Sequence, residues 1–266
     1  LFLLGPWFGL WLVKGNLSSS LTLDFLPLTD PYILLQSLVA GHALSNTAIM
    51  GAIIVFAVYA LVGGRVYCSF VCPVNIITDF AHWLGGKFDI SKGWQPKREI
   101  RLWLLGATLV VSMITGTVAW EFLNPVSITH RGIIFGFGFG WTIIAAVFIF
   151  DLFISRRGWC GHICPVGAFY SLVGRYSLLR VRAPKRDACN DCMDCFAICP
   201  ENHVIVPALR GADKQLGPVI MSPNCTNCGR CIDVCSLDVF EFGTRFNTSV
   251  ETNHKLEEAS KLRNAA

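Results

Sequence analysis

Cys189-Asn-Asp-Cys192-Met-Asp-Cys195-Phe-Ala-Ile-Cys199-Pro200, answered by Cys225-Thr-Asn-Cys228-Gly-Arg-Cys231-Ile-Asp-Val-Cys235, is the stretch from which the architecture can be read. Three thiolates spaced two residues apart wrap one [4Fe-4S] cubane, and the fourth reaches across to the neighbouring one. Crosswise ligation assigns Cys189, Cys192, Cys195 and Cys235 to a first cluster and Cys225, Cys228, Cys231 and Cys199 to a second. Each cluster then ties both runs together, which predicts a bacterial-type two-cluster ferredoxin domain of α+β class. Zinc is the competing occupant, but two Cys-x2-Cys pairs would satisfy it and leave the third cysteine and the x3 step idle. A disulfide framework conflicts with spacings this tight and with reducing surroundings. Ser236 stands where the first run has Pro200, at a position that ligation does not use.

Upstream of these runs the chain changes character. Its 266 residues are 53% hydrophobic and 15% charged, with a mean hydropathy of +0.52, which is more apolar than an ordinary soluble domain. Three uncharged stretches, Thr47 to Gly64, Leu102 to Ala119 and Gly132 to Phe150, have about the length that a helix needs to cross a bilayer. The apolar opening, Leu1 to Val13, reads as the end of a further span. The expected fold is therefore a mainly α membrane protein with four transmembrane helices, followed by the ferredoxin domain. Residues 1–181 form the membrane part, 182–248 the two-cluster domain and 249–266 a charged tail.

Basic side chains cluster in the connection from Arg65 to Arg101 and again from Arg156 to Arg186. The positive-inside rule turns both toward the cytoplasm, together with the two-cluster domain. The net charge of +4 is small, and no basic stretch interleaved with aromatics suggests nucleic acid as a partner. Gly132, Gly136 and Gly140 suggest a small-residue ridge for close helix packing. Trp103, Trp120 and Trp159 suit the aromatic belts of a membrane interface.

The apolar part contains a repeat. Arg65-Val-Tyr-Cys68-Ser-Phe-Val-Cys72-Pro73-Val matches Arg157-Gly-Trp-Cys160-Gly-His-Ile-Cys164-Pro165-Val, so the four spans read as two tandem two-helix units. Cys-x3-Cys places sulfurs one helical turn apart on one face. Cys68, Cys72, Cys160 and Cys164 are thus candidates for a further iron-sulfur or other metal site. Redox-active dithiols and buried packing thiols are the alternatives.

An electron carrier joined to a lipid-embedded bundle needs a redox partner soluble in lipid, and a quinol is the natural choice. Its oxidation requires a base near the carrier, and polar groups in such a setting have a task. His42, Glu121 and His130, with Asp30, are the candidates on the non-cytoplasmic side. Asp79, His82, Asp151 and His162 are those on the cytoplasmic side, His162 being suited to tune a metal site.

The paired motifs CSFVCPVN and CGHICPVG and the double ferredoxin run resemble the NapH family, membrane ferredoxin-type subunits of the quinol dehydrogenase that serves periplasmic nitrate reductase. Gly5-Pro-Trp-Phe-Gly, Gly15-Asn-Leu-Ser-Ser-Ser, Pro27-Leu-Thr-Asp-Pro and Asn124-Pro-Val-Ser extend the resemblance over nearly the whole chain. It implies oxidation of menaquinol or ubiquinol at the bacterial inner membrane. Electrons would pass to a NapG-type periplasmic ferredoxin subunit and onward to a c-type cytochrome. A membrane polyferredoxin that assembles metal centres or regulates redox state is the rival expectation.

Overall fold

The structure is a computed structural model that describes residues 13–16, 18–22, 25–88, 96–136, 138–155 and 157–250. The expected first span (apart from Val13), Lys92, Arg156 and the tail beyond residue 250 lie outside the described residues. The chain forms two compact units. One comprises residues 1–58 and 71–170, the other residues 59–70 and 171–266.

The first unit opens with a three-stranded antiparallel meander, β1 (Val13–Gly15), β2 (Ser19–Thr22) and β3 (Leu26–Thr29). Asn16 shapes the first turn by accepting the Ser18 and Ser19 N–H groups, each at 2.9 Å. Asp30 then caps α1 (Pro31–Val39), its carboxylate accepting the Tyr32 N–H at 2.9 Å while Pro31 fills the first helical position. Asn124 and Pro125 repeat the device at the start of α5 (Pro125–Phe135). Between them run α2 (Asn46–Val62), α3 (Val74–Lys87) and α4 (Ile100–Thr115), and after them α6 (Gly140–Ile149) and α7 (Pro165–Val173).

The expectation of four membrane-crossing helices is corrected here: among the described residues no helix is long and apolar enough to cross a membrane. At 17 residues, α2 reaches about 25 Å at helical rise, against a hydrocarbon core of about 30 Å. Glycines in backbone conformations that favour glycine explain the shortness. Gly63 (φ 137°) follows α2 and Gly116 (φ 63°) ends α4, while Gly136 (φ 91°) and Gly138 (φ 46°) divide the stretch Gly132–Phe150 between α5 and α6. The expected glycine ridge is therefore split between two helices. At Gly140 an added Cβ would lie 2.7 Å from Ile128 Cγ2, so that glycine serves the approach of α6 to α5. Nor does Trp120 line an interface: it is buried and stacks on Trp159 with ring centroids 6.5 Å apart.

The second unit is built on an antiparallel pair, β4 (Leu179–Arg182) and β5 (Glu241–Thr244), with Val181 opposite Phe242. Three short helices, α8 (Asp194–Ile198), α9 (Ile205–Arg210) and α10 (Arg230–Asp233), pack around a core of Val181, Ile205, Ala208, Ile220, Val239 and Phe240. Cys195 and Cys231 lie within that core. Residues 59–70 belong to this unit because their backbone is hydrogen-bonded into it. The Leu178 N–H donates to the Leu61 carbonyl at 3.0 Å. The Asn227 amide donates to the Val62 carbonyl at 3.0 Å and the Leu179 carbonyl at 2.9 Å.

Candidate iron-sulfur sites

The two cysteine runs fold alike because the same positions adopt left-handed backbone. In the first loop these are Asp191 (φ 57°) and Met193 (φ 68°), and in the second Asn227 (φ 48°) and Gly229 (φ 74°). Each pair flanks the middle cysteine, Cys192 or Cys228, and Met193 and Gly229 directly precede α8 and α10. Alternation of left- and right-handed residues turns successive N–H groups inward, which favours an anionic guest. The Asp191 N–H accordingly points at Cys189 Sγ, 3.5 Å away, and the Asn227 N–H bonds to Cys225 in the same way. Met193 holds this conformation without the freedom of glycine, and Arg210 braces it. The Arg210 guanidinium donates to Asp191 at 2.7 Å and to Met193 Sδ at 3.1 Å, and lies 5.4 Å from the Phe196 ring centroid.

Two cavities result. One, of about 400 Å³ including space open to solvent, is lined by Cys189, Cys192, Cys195 and Cys235, and the other, of about 340 Å³, by Cys199, Cys225, Cys228 and Cys231. Each set takes three cysteines from one run and the fourth from the other.

The sulfur donors suit a cationic iron core, and the core together with four thiolates is the anionic whole that the inward N–H groups favour. Burial, and then neighbouring cysteines, push the Cys195 thiol up to about 11. Burial pushes Cys199 up to about 12 and also raises Cys225 and Cys231. Four sulfurs crowded around one cavity resist becoming thiolates together, and iron inside would relieve that repulsion and bind the deprotonated form. The residues present therefore fit two [4Fe-4S] clusters.

The surroundings of the two cavities differ in charge. Exposed Asp191 and Asp194 line the first. Glu201 and Arg230 line the second, with two buried arginines beside it. Arg65, 2% exposed, donates to Glu201 Oε1 at 2.8 Å and to the Asn224 carbonyl at 2.9 Å. Arg180 donates to the carbonyls of Ser222 (3.0 Å) and Gly174 (2.6 Å). The sequence reading missed both, since nothing local marks an arginine whose partners stand far along the chain.

The duplicated motifs share a conformation that differs from the expected α-helical turn. Cys68 lies in a π-helical turn, Tyr67–Val71, and Cys160 in another, Trp159–Ile163, with Cys72 and Cys164 just beyond each. Cys68 falls in the second compact unit, and Cys72, Cys160 and Cys164 fall in the first. Among the described residues, no group of three or more His, Cys, Asp or Glu side chains is arranged to hold a single metal ion, and this is as true of the two four-cysteine cavities as of the duplicated motifs.

Of the polar candidates for a quinol base, His42 is exposed. Glu121 accepts from Asn124 at 3.3 Å and from Arg131 at 3.4 Å. His130 is pushed down by burial and then by Arg131. Asp79 pairs with Arg157, Asp151 accepts the Trp159 N–H at 2.9 Å, His82 lies on α3, and His162 is buried in the second motif's turn. Asp30 is poised differently. It accepts from the Tyr170 hydroxyl at 3.2 Å, and burial pushes its carboxyl up to about 6.

Comparison with known proteins bears on the duplicated motifs as well as on the two cysteine runs. A family described as a 4Fe-4S binding domain matches residues 46–91 and again 137–186, one copy around each Cys-x3-Cys-Pro motif. A 4Fe-4S dicluster domain matches residues 188–239. The methylamine utilization ferredoxin-type protein MauN of Paracoccus denitrificans is 56% identical over 84% of this chain and 78% of its own length. MauN of Methylorubrum extorquens is 52% identical over 92% of this chain and 84% of its own length. The ferredoxin-type protein NapH of Escherichia coli is 49% identical over 95% and 87% respectively. No solved structure matches.

Proposed function

Because this chain belongs to the family of NapH and MauN ferredoxin-type proteins, we propose that it oxidises a quinol and passes the electrons through two [4Fe-4S] clusters to a partner redox protein. That it is an iron-sulfur electron-transfer protein follows from the family and the 4Fe-4S domains. The observation that supports the two-cluster reading is the pair of cavities, each lined by four cysteines drawn crosswise from both runs.

Loaded with clusters, the two sites supply one-electron redox centres. A quinol losing two electrons and two protons matches two such sites. The protein's part is to hold the thiolates, exclude water from Cys195 and Cys231, and offer a base for the protons. Asp30 suits that last role, because a carboxyl at about 6 exchanges protons near neutral pH. A quinol substrate carries with it a location at the bacterial inner membrane, and the basic segments, turned toward the cytoplasm by the positive-inside rule, would put the dicluster domain on that side. Apolar side chains left in water on the first unit, including Phe135 (84% exposed) and Phe139 (91%), are compatible with contact to lipid.

For NapH-like work the acceptor is a NapG-type ferredoxin subunit and then a c-type cytochrome, toward periplasmic nitrate reduction. The higher identity to two MauN proteins favours a second reading, in which the same electron transfer serves methylamine utilization. Deleting the gene and scoring periplasmic nitrate reduction against growth on methylamine separates the two.

The core proposal is tested by anaerobic stopped-flow mixing with a menaquinol analogue, expected to bleach the cluster absorbance rapidly. No bleaching by any quinol overturns quinol oxidation. Iron should amount to about eight atoms per chain for two cubanes. Cys235→Ala should bring it to about four, by emptying the site whose other ligands are Cys189, Cys192 and Cys195.

A further inference from the structure

The segment carrying Cys68 is clamped to the loop that opens the second cluster site. Arg65 donates to the Asn224 carbonyl at 2.9 Å and Ser69 donates to the Thr226 carbonyl at 3.4 Å. These two bonds bracket Cys68 on one strand of chain and Cys225 on the other. Asn227 adds its amide bond to the Val62 carbonyl at 3.0 Å. At Gly63 an added Cβ would stand 2.6 Å from that amide, so the approach is close.

The same clamp brings charge. Reduction adds an electron to a site already held by four thiolates, and nearby cations favour the more negative state. Arg65 and Arg180 are both 2% exposed, so water screens them little. Counting Arg65, Arg180 and Arg230 against Glu201, formal charge at the second site sums to +2. At the first, Asp191 and Asp194 stand against Arg210, summing to −1. Greater burial of the second site works in the opposite direction, since it disfavours added charge. Two guanidiniums enclosed in that low-dielectric surrounding outweigh it, because the burial that removes water also strengthens their field.

We propose that Arg65, with Arg180, makes the site of Cys199, Cys225, Cys228 and Cys231 the higher-potential of the two, so that electrons in this unit collect at the end where Cys68 is seated. This rests on the two-cluster reading above. One electron moves for each transfer: the first site is oxidised, the second is reduced, and no bond or proton changes place. Arg65 acts here as a field-setting residue that also holds the Cys68 segment against the second site.

The test is a redox titration of the anaerobically purified full chain, followed by electron paramagnetic resonance. Cys192→Ser, at the exposed edge of the first site, identifies that site's signal. Arg65→Gln should lower the reduced-to-oxidised ratio of the second site about tenfold at fixed ambient potential, which is about 59 mV for one electron, and leave the first in place. Arg65→Lys should restore most of the shift, and Glu201→Gln should move the second site the opposite way. If Arg65→Gln fails to hold iron, Glu201→Gln carries the measurement. Assignment of the higher potential to the first site overturns the inference, as do potentials that stay fixed in loaded variants. Wild-type protein with only one cluster signal refutes the two-cluster reading instead.

Discussion

Replacing Asp30 by Asn should remove a pH dependence from the stability of the first unit. In the folded chain the Asp30 carboxyl is raised from 3.8 to about 6 by burial, against the opposing hydrogen bonds from Tyr32 and Tyr170. The folded state therefore holds this proton more tightly than the unfolded state. Stability is greatest below pH ~4, where both states are protonated, and falls as pH rises through the window up to about 6. A displacement of this size corresponds to about 3 kcal/mol, and access of water to a half-buried residue reduces it to about 2. The amide introduced by the substitution would keep an oxygen to accept from Tyr32 and Tyr170 but would carry no charge. Asp30→Asn should thus match wild type near pH 3 and exceed it by about 2 kcal/mol at pH 7.5. Urea denaturation read by tryptophan fluorescence measures this, since Trp120 and Trp159 stack within the same unit. The difference between variant and wild type cancels any acid loss of clusters common to both. An equal difference at the two pH values would refute the reasoning.

Other expectations follow from the same geometry. Met193→Gly should raise the melting temperature of the loaded protein, because the left-handed conformation costs an L-residue about 1 kcal/mol. Gly229→Ala should lower it by more than the reverse amount, since an added Cβ would also lie 3.2 Å from the Phe242 ring. Asp79→Asn should destabilise the first unit by about 3 kcal/mol in equilibrium unfolding, by taking the ion-pair carboxylate away from buried Arg157. Raising the pH of iron-free protein from 9 to 12 should unfold the second unit, while loaded protein resists. The folded thiols at Cys195 and Cys199 hold their protons up to about 11 and 12, so their contribution is present at lower pH and lost through that window.

The grouping of the eight ferredoxin cysteines could be read from the sequence because it lies in spacing, and spacing survives folding. The cavities group them as the crosswise rule expects, with Cys235 joining the first run and Cys199 the second. The helix lengths could not be read in this way. Hydropathy sums side chains and ignores backbone, so Gly63, Gly116 and Gly136 counted as parts of apolar runs although each interrupts or ends a helix. Met193 hid its role for the opposite reason, since methionine does not announce a left-handed turn. Arg65 looked like one basic residue among many. Its partner Glu201 is 136 positions away, and no local pattern connects them. Asp30 was one of several polar candidates, and only burial together with the Tyr170 hydroxyl distinguishes it.

The crosswise arrangement also dictates an order of events during synthesis. A ribosome that has released Cys189, Cys192 and Cys195 has made three-quarters of a site whose last sulfur, Cys235, is still unbuilt. Iron delivered too early would meet an open, oxygen-exposed triad. Maturation must therefore wait until translation has passed the second run, and a chain cut short between Cys199 and Cys225 would leave neither cubane a complete set of ligands.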